Sequence, residues 1–115
     1  MKRDMGLIRL ILLEQESGEC TGKISKYSSE VVGYHSALAI EAGLLRGTVI
    51  QADGDNYPTG VPYRLTWACH DFLDAARDES CWRKVTEDVA KKVGSVAFDL
   101  LRQLLLEYAR KVLLA

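Results

Sequence analysis

Cys20, His35, Cys69, His70 and Cys81 are the side chains of this chain best suited to hold a metal or attack a substrate. The three cysteines form no CxxC pair, and an odd count does not build a disulfide framework. Cys69 and His70 adjoin, but no second Cys or His falls at zinc-site spacing from them. His35 lies beside Leu38 on the inner edge of a predicted helix, where a lone imidazole is more often a hydrogen-bonded structural group than a ligand or base. Asp71, Asp74 and Asp78 recur at helical spacing. That spacing would suit a carboxylate pair, and together with Arg77 and Glu79 it fits a solvated helix face better. No Ser/His/Asp order, nucleophile elbow, Walker loop or GxGxxG occurs. The reading is therefore no enzyme, no metal and no cofactor, with the roles of Cys69, His70 and Cys81 left open.

The elements that must position these residues follow from periodicity and punctuation. With 115 residues, 48% of them apolar and 27% charged, the chain fits a single domain over 1–115 with a true core. A net charge of −1 removes the basic balance of a simple DNA-coating protein. Free thiols point to a reducing, cytoplasmic setting. At the N-terminus Arg9 interrupts the apolar stretch, and no apolar run approaches the ~18 residues of a membrane span, so no membrane is expected.

Residues 3–16 read as a helix, with Met5, Leu7, Ile8, Ile11 and Leu12 at helical spacing and Asp4 near its start. Lys23–Tyr27 alternates polar and apolar residues and reads as a short strand. Ser28 or Ser29 caps a helix to about Ala42, with Gly43 as its left-handed stop. Residues 44–51 and 61–66 are β-rich around the turn-forming ADGDNYPTG, and Thr66 caps a helix over 67–78. A last helical region over 80–113 breaks near Gly94-Ser95, where Ser95 can cap the final helix. The core is thus predicted over 1–78, with C-terminal helices over 80–114.

Glu-Ala-Gly-Leu-Leu at 41–45 and Arg-Leu-Thr-Trp-Ala-Cys-His-Asp-Phe-Leu at 64–73 frame the hairpin. Helix, β-hairpin, helix is the plan of a winged helix. The fold class predicted is α+β, a winged helix-turn-helix with a β-hairpin wing and a C-terminal helical extension. The interval 17–27 leaves barely room for the second helix of that plan, which is predicted to be reduced or absent. The opening MKRDMGLIRLILLE, the middle YHSALAIEAGLL, RLTWACHDFLDAARDESCWRKV and GSVAFDLLRQL together resemble the bacterial and phage family catalogued as domain of unknown function 2513. The resemblance runs in order along nearly the whole chain. It implies a winged-helix fold and brings no catalytic residues.

A helix-turn-helix places its second helix in the major groove, and Lys/Arg contacts to phosphate supply most of its affinity. The helix over 28–42 holds Glu30 and Glu41 and no Lys or Arg. Its wheel puts Val31, His35, Leu38 and Ala42 inward, and Ser29, Gly33, Ser36, Ala37 and Ile40 outward as a flat surface suited to protein. Asp53 and Asp55 make the wing tip acidic. Lys2, Arg3, Arg83, Lys84, Lys91 and Lys92 form the alternative nucleic-acid patch, against the simpler reading of solvated charge. Trp67 and Trp82 read as packing residues rather than base-stacking ones.

Residues 95–114 carry a stripe of Phe98, Leu101, Leu105, Tyr108 and Val112, widened by Leu104 and its neighbours beyond what one buried face needs. The excess predicts a homodimer through this helix, or else a core that wraps it. Candidate protein-interface residues are Ser36, Ala37, Ile40, Leu104, Leu105, Tyr108 and Val112. Two functions stay open. One is a small bacterial or phage regulator binding duplex DNA. The other is a protein-interaction module on the same frame that does not bind DNA.

Overall fold

The computed structural model describes residues 1–20, 22–93 and 98–114; the side chains of 89–93, 98–99, 109 and 112–114 lie outside that description. Among the described residues the chain is mixed α and β: α1 (Met5–Ser17), α2 (Ser29–Glu41), β1 (Leu45–Ile50), β2 (Thr59–Leu65), α3 (Trp67–Ala76), α4 (Glu79–Val93) and α5 (Phe98–Leu114). It divides into two compact units, Met1–His70 and Asp71–Ala115.

In the first unit, α1 begins where Asp4 accepts the Leu7 N–H on its carboxylate and ends at Gly18, whose left-handed backbone returns its N–H to Glu14 O. These bonds satisfy groups that a helix end otherwise leaves orphaned. Met5, Leu7, Ile8, Ile11 and Leu12 are buried. Ser28 caps α2 by accepting the Val31 N–H, and Gly43, at φ 79°, turns the chain out of it.

α2 packs against α1 and against both strands. That corrects the expected wheel. Gly33, Ser36 and Ala37, predicted to face outward, are buried, while Val31 and Leu38 are half-exposed and Ala42 is exposed. A helix covered on two sides must bury two faces, and small residues let the hairpin backbone come close. A Cβ added to Gly33 would lie 2.9 Å from Thr59 Cγ2. Ser36 Oγ turns back to Val32 O at 2.9 Å, so its hydroxyl is satisfied in place.

β1 and β2 pair antiparallel, Leu45 with Leu65, Arg46 with Arg64, then Gly47 with Pro62 through Ile50 with Thr59. β2 starts two residues before the sequence expectation because Thr59 and Gly60 still find partners on β1. The register slips between Arg46 and Gly47, leaving Tyr63 as the extra residue of a bulge. Thr66 then ties hairpin to helix: its hydroxyl donates to Gly43 O at 2.6 Å and accepts from Cys69 N–H at 3.2 Å, as the predicted N-cap of α3.

The predicted strand at Lys23–Tyr27 is instead a pair of turns. Ser25 N–H bonds Gly22 O and Tyr27 N–H bonds Ile24 O, so the segment closes on itself, and among the described residues it pairs with no strand. As expected, no helix fills the interval between α1 and α2 among the described residues.

In the second unit, Phe72 and Trp82 meet edge to face, with ring centroids 6.2 Å apart. Leu73, Ala76, Cys81, Val85, Leu101 and Leu105 are also buried, and α4 packs on α5. Asp78 starts α4 by accepting the Cys81 N–H at 2.8 Å. Residues 94–97, between α4 and α5, are not among the described residues, so the break expected near Gly94-Ser95 and the Ser95 cap both lie outside them.

Candidate functional site

Alternation along the hairpin sends Gly47, Gly60 and Pro62 toward α2 and Thr48, Ile50 and Val61 to solvent. The bulge then does something a regular strand cannot: it brings two consecutive residues, Tyr63 and Arg64, to the solvent side opposite Arg46. The phenol of Tyr63 bonds the Thr48 hydroxyl across the strands. Ile50 is 53% exposed, Val61 41% and Tyr63 65%. Arg46 and Arg64 face each other across the ladder, and Arg64 Nη1 is held on Leu65 O at 3.0 Å. Like charges directly opposite weaken a hairpin, so this pair is not there for stability.

Trp67 follows two residues beyond β2 and is 84% exposed. This corrects the packing role expected of it. In α3 the buried positions are Cys69, Phe72, Leu73, Ala75 and Ala76, and position 67 shares the opposite face with His70, Asp71 and Asp74. Trp82 is buried against Phe72, as its packing role requires.

The first unit also carries an open groove of about 510 Å³ between the C-terminal half of α1, the turns before α2, and β2. Ile11, Ile24, Val32 and Pro62 give it apolar walls, and Glu14 and Glu19 line it as well. Sequence reading missed it. Its one advance signal was the interval too short for a helix.

His35 is structural. Its Nε2 accepts the Asp4 N–H at 2.9 Å and its Nδ1 donates to Val31 O at 2.8 Å, which places the proton on Nδ1 and uses both nitrogens. Burial raises the Tyr27 phenol above its ordinary value, helped by the charge of Asp4 and by the hydrogen bond to it. Burial pushes the Cys69 thiol up to about 12, with Glu16 adding to the effect, and burial with Asp78 raises Cys81. Neither thiol is primed as a nucleophile. His70 meets Glu16 at 4.0 Å. Among the described residues no three His, Cys, Asp or Glu side chains converge as a metal site, and no helix is long and apolar enough to cross a membrane.

The predicted nucleic-acid residues fall in both units. Lys2 and Arg3 are exposed ahead of α1, where the Met1 amino group donates to Tyr57 Oη at 2.9 Å. Arg83 pairs with Glu79 at 3.6 Å, and Lys84 Nζ sits 5.7 Å from the centre of the Tyr108 ring. The side chains of Lys91 and Lys92 lie outside the described residues. Of the predicted interface residues, Ser36 and Ala37 are buried, which corrects their outward placement, and Leu105, expected in the buried stripe of the C-terminal helix, is buried as well. Ile40, Leu104 and Tyr108 are half-buried, and Val112 has no described side chain. Ile40 points its Cδ1 at Gly47, beneath the hairpin rather than to solvent.

The family model of hypothetical proteins described as DUF2513 matches residues 2–96. An uncharacterized protein of Haemophilus influenzae is 32% identical over 109 residues, covering 90% of this chain and 91% of its own length. No solved structure matches at significance. With the family model running from the N-terminal arm through α4, and the relative aligned along nearly its full length, the chain belongs to the DUF2513 family.

Proposed function

We propose that this protein is a non-catalytic interaction module on a winged-helix frame, a small regulator that holds another protein rather than reading duplex DNA. The observation that carries this is the solvent face of the hairpin, where Ile50, Val61 and Tyr63 are exposed together. Exposed apolar side chains gathered on one face mark interaction sites, and Tyr, Trp and Arg dominate the energetics of such contacts. Arg46 and Arg64 border that face, so the partner is a protein surface that sets apolar side chains beside carboxylates.

Duplex reading has less behind it. The exposed ends of α2 carry Glu30 and Glu41, and the hairpin tip carries Asp53 and Asp55, of which Asp55 caps its own turn through Ala52 N–H. Carboxylates at these places repel phosphate, although salt screens the effect beyond about 8 Å.

A photo-crosslinking residue at position 61 tests the reading in cells. The expected result is one discrete protein adduct that disappears when Arg46 and Arg64 are changed to Glu, with none from a control position at Ser80. Absence of that adduct, together with salt-dependent binding of the purified protein to random duplex DNA, would overturn it.

A further inference from the structure

We infer that the outer edge of β1 pairs antiparallel with the same strand of a second copy, joining two hairpins into one four-stranded sheet. The pairing uses the backbone of β1 and the charges at its two ends. It does not use the side chains of Ile50, Val61 and Tyr63 that carry the hairpin-face reading.

Gly47 stands opposite Pro62, and proline has no N–H to exchange with it. That pair is therefore a non-hydrogen-bonded one, so the N–H and C=O of Gly47 point to the other side of β1. Those of Val49, two residues on, point the same way. Among the described residues no side chain, and no backbone group outside the hairpin, bonds either of them.

The two edges of the sheet are not alike. β2 carries Pro62 and the bulged Tyr63, α1 packs on it, and Gln15 Nε2 reaches Tyr63 O at 3.5 Å. Proline, bulges and a covering element are devices that keep an edge from pairing. β1 lacks them: from Gly47 to Gln51 it holds neither charge nor proline, and Thr48, Val49 and Ile50 are β-branched. Nor does α2 cover this edge. Val49 lies on the α2 side of the sheet, opposite Gly60, yet it is 41% exposed. Open N–H and C=O groups at strand spacing are met by another strand.

Charge identifies which strand. Arg46 precedes the segment and Asp53 follows it, and among the described residues neither has an ion-pair partner. Antiparallel pairing sets residues of like orientation opposite each other, which Val49 against Val49 of the second copy provides. Arg46 of each copy then stands opposite Ala52 of the other, beside Asp53. Both positive ends meet negative ends, as a self-complementary two-fold contact requires. A parallel copy would instead set Arg46 beside Arg46. The two-fold axis stands perpendicular to the sheet, so both copies of α2 lie on one side and both solvent faces on the other.

The test uses the full chain. Light scattering at about 1 mM protein should return a dimer mass that falls to monomer on dilution. Hydrogen exchange at the Gly47 and Val49 amides should slow at least tenfold in the dimer. Val49→Pro removes an outward N–H that the hairpin does not use, and should abolish the dimer. Arg46→Asp and Asp53→Arg should each weaken it about tenfold, since each sets like charges together at both ends. An equimolar mixture of those two variants should recover the dimer, because the mixed pair restores opposite charges. That recovery also shows both variants folded, so the test stands if Val49→Pro unfolds. A monomer mass at every concentration overturns the proposal. So does a mixture that stays monomeric, or a dimer that survives in folded Val49→Pro. A dimer that folded Leu104→Glu disperses would place the contact on α5, and would overturn it too.

Discussion

Gly60 of β2 runs so close beneath Ala37 of α2 that a Cβ on residue 60 would lie 2.8 Å from Ala37 Cα and 2.6 Å from Ser36 C. Both obstacles are helix backbone, which cannot swing aside as a flexible side chain can. Gly60→Ala should therefore destabilise the protein by about 1–3 kcal/mol or more, as overpacking does. Gly54, at the hairpin tip, has positive φ and open space around it, so Gly54→Ala should cost only about 1 kcal/mol of backbone strain. Urea denaturation of both variants measures the difference; equal losses would refute close packing at Gly60.

Thr66 joins the hairpin to α3 through one hydroxyl that donates to Gly43 O and accepts from Cys69 N–H. Thr66→Ala removes both bonds and should lower stability by about 1–2 kcal/mol, in the range of a lost N-cap. Thr66→Ser keeps the hydroxyl and should recover most of that. If thermal melts rank Ser no better than Ala, the bonds contribute nothing net.

The two tryptophans should behave oppositely. Trp67 is solvent-exposed, so Trp67→Ala should change stability by less than about 0.5 kcal/mol. Trp82 packs edge to face on Phe72, so Trp82→Ala should cost about 3–5 kcal/mol. Intrinsic fluorescence offers a second check, with Trp67 accessible to iodide and Trp82 shielded.

Cys69 gives the chain an alkaline weakness. Burial lifts its thiol from an ordinary value of 9 to about 12, so between those values the unfolded chain loses this proton while the folded chain keeps it. Fewer protons on the unfolded side make stability fall as pH rises. The contribution is complete below about pH 9 and is lost progressively as pH climbs toward 12. Melting temperatures from pH 8 to 12 should decline, and Cys69→Ala should flatten part of that decline. In the same way Cys20 should react with iodoacetamide in the native protein, and Cys69 only after unfolding. Native-state labelling of Cys69 as fast as Cys20 would contradict its burial.

Local signals placed the elements well. Asp4, Ser28, Gly43 and Thr66 are caps and stops whose partners lie within a few residues, and each occupies the role its type predicts. Lys23–Tyr27 misled because polar-apolar alternation describes a strand only if another strand is there to pair with. The face of α2 was misjudged for a related reason. A wheel with one apolar stripe assumes one covered side, and α2 is covered on two. Gly33, Ser36 and Ala37 fall opposite the stripe that the wheel turned inward, yet they are what lets the hairpin approach.

The sequence by itself determined the family, the order of helices and hairpin, and the absence of recognisable catalytic motifs, because these depend on residue type and short-range spacing. Tertiary structure alone decided which residues are available to a partner. The bulge that turns both Tyr63 and Arg64 outward depends on strand register, and the groove depends on what the turns after α1 leave uncovered. The exposure of Trp67 depends on which side of α3 the chain buries. Each is set by contacts between segments far apart in the chain, and no local pattern encodes those.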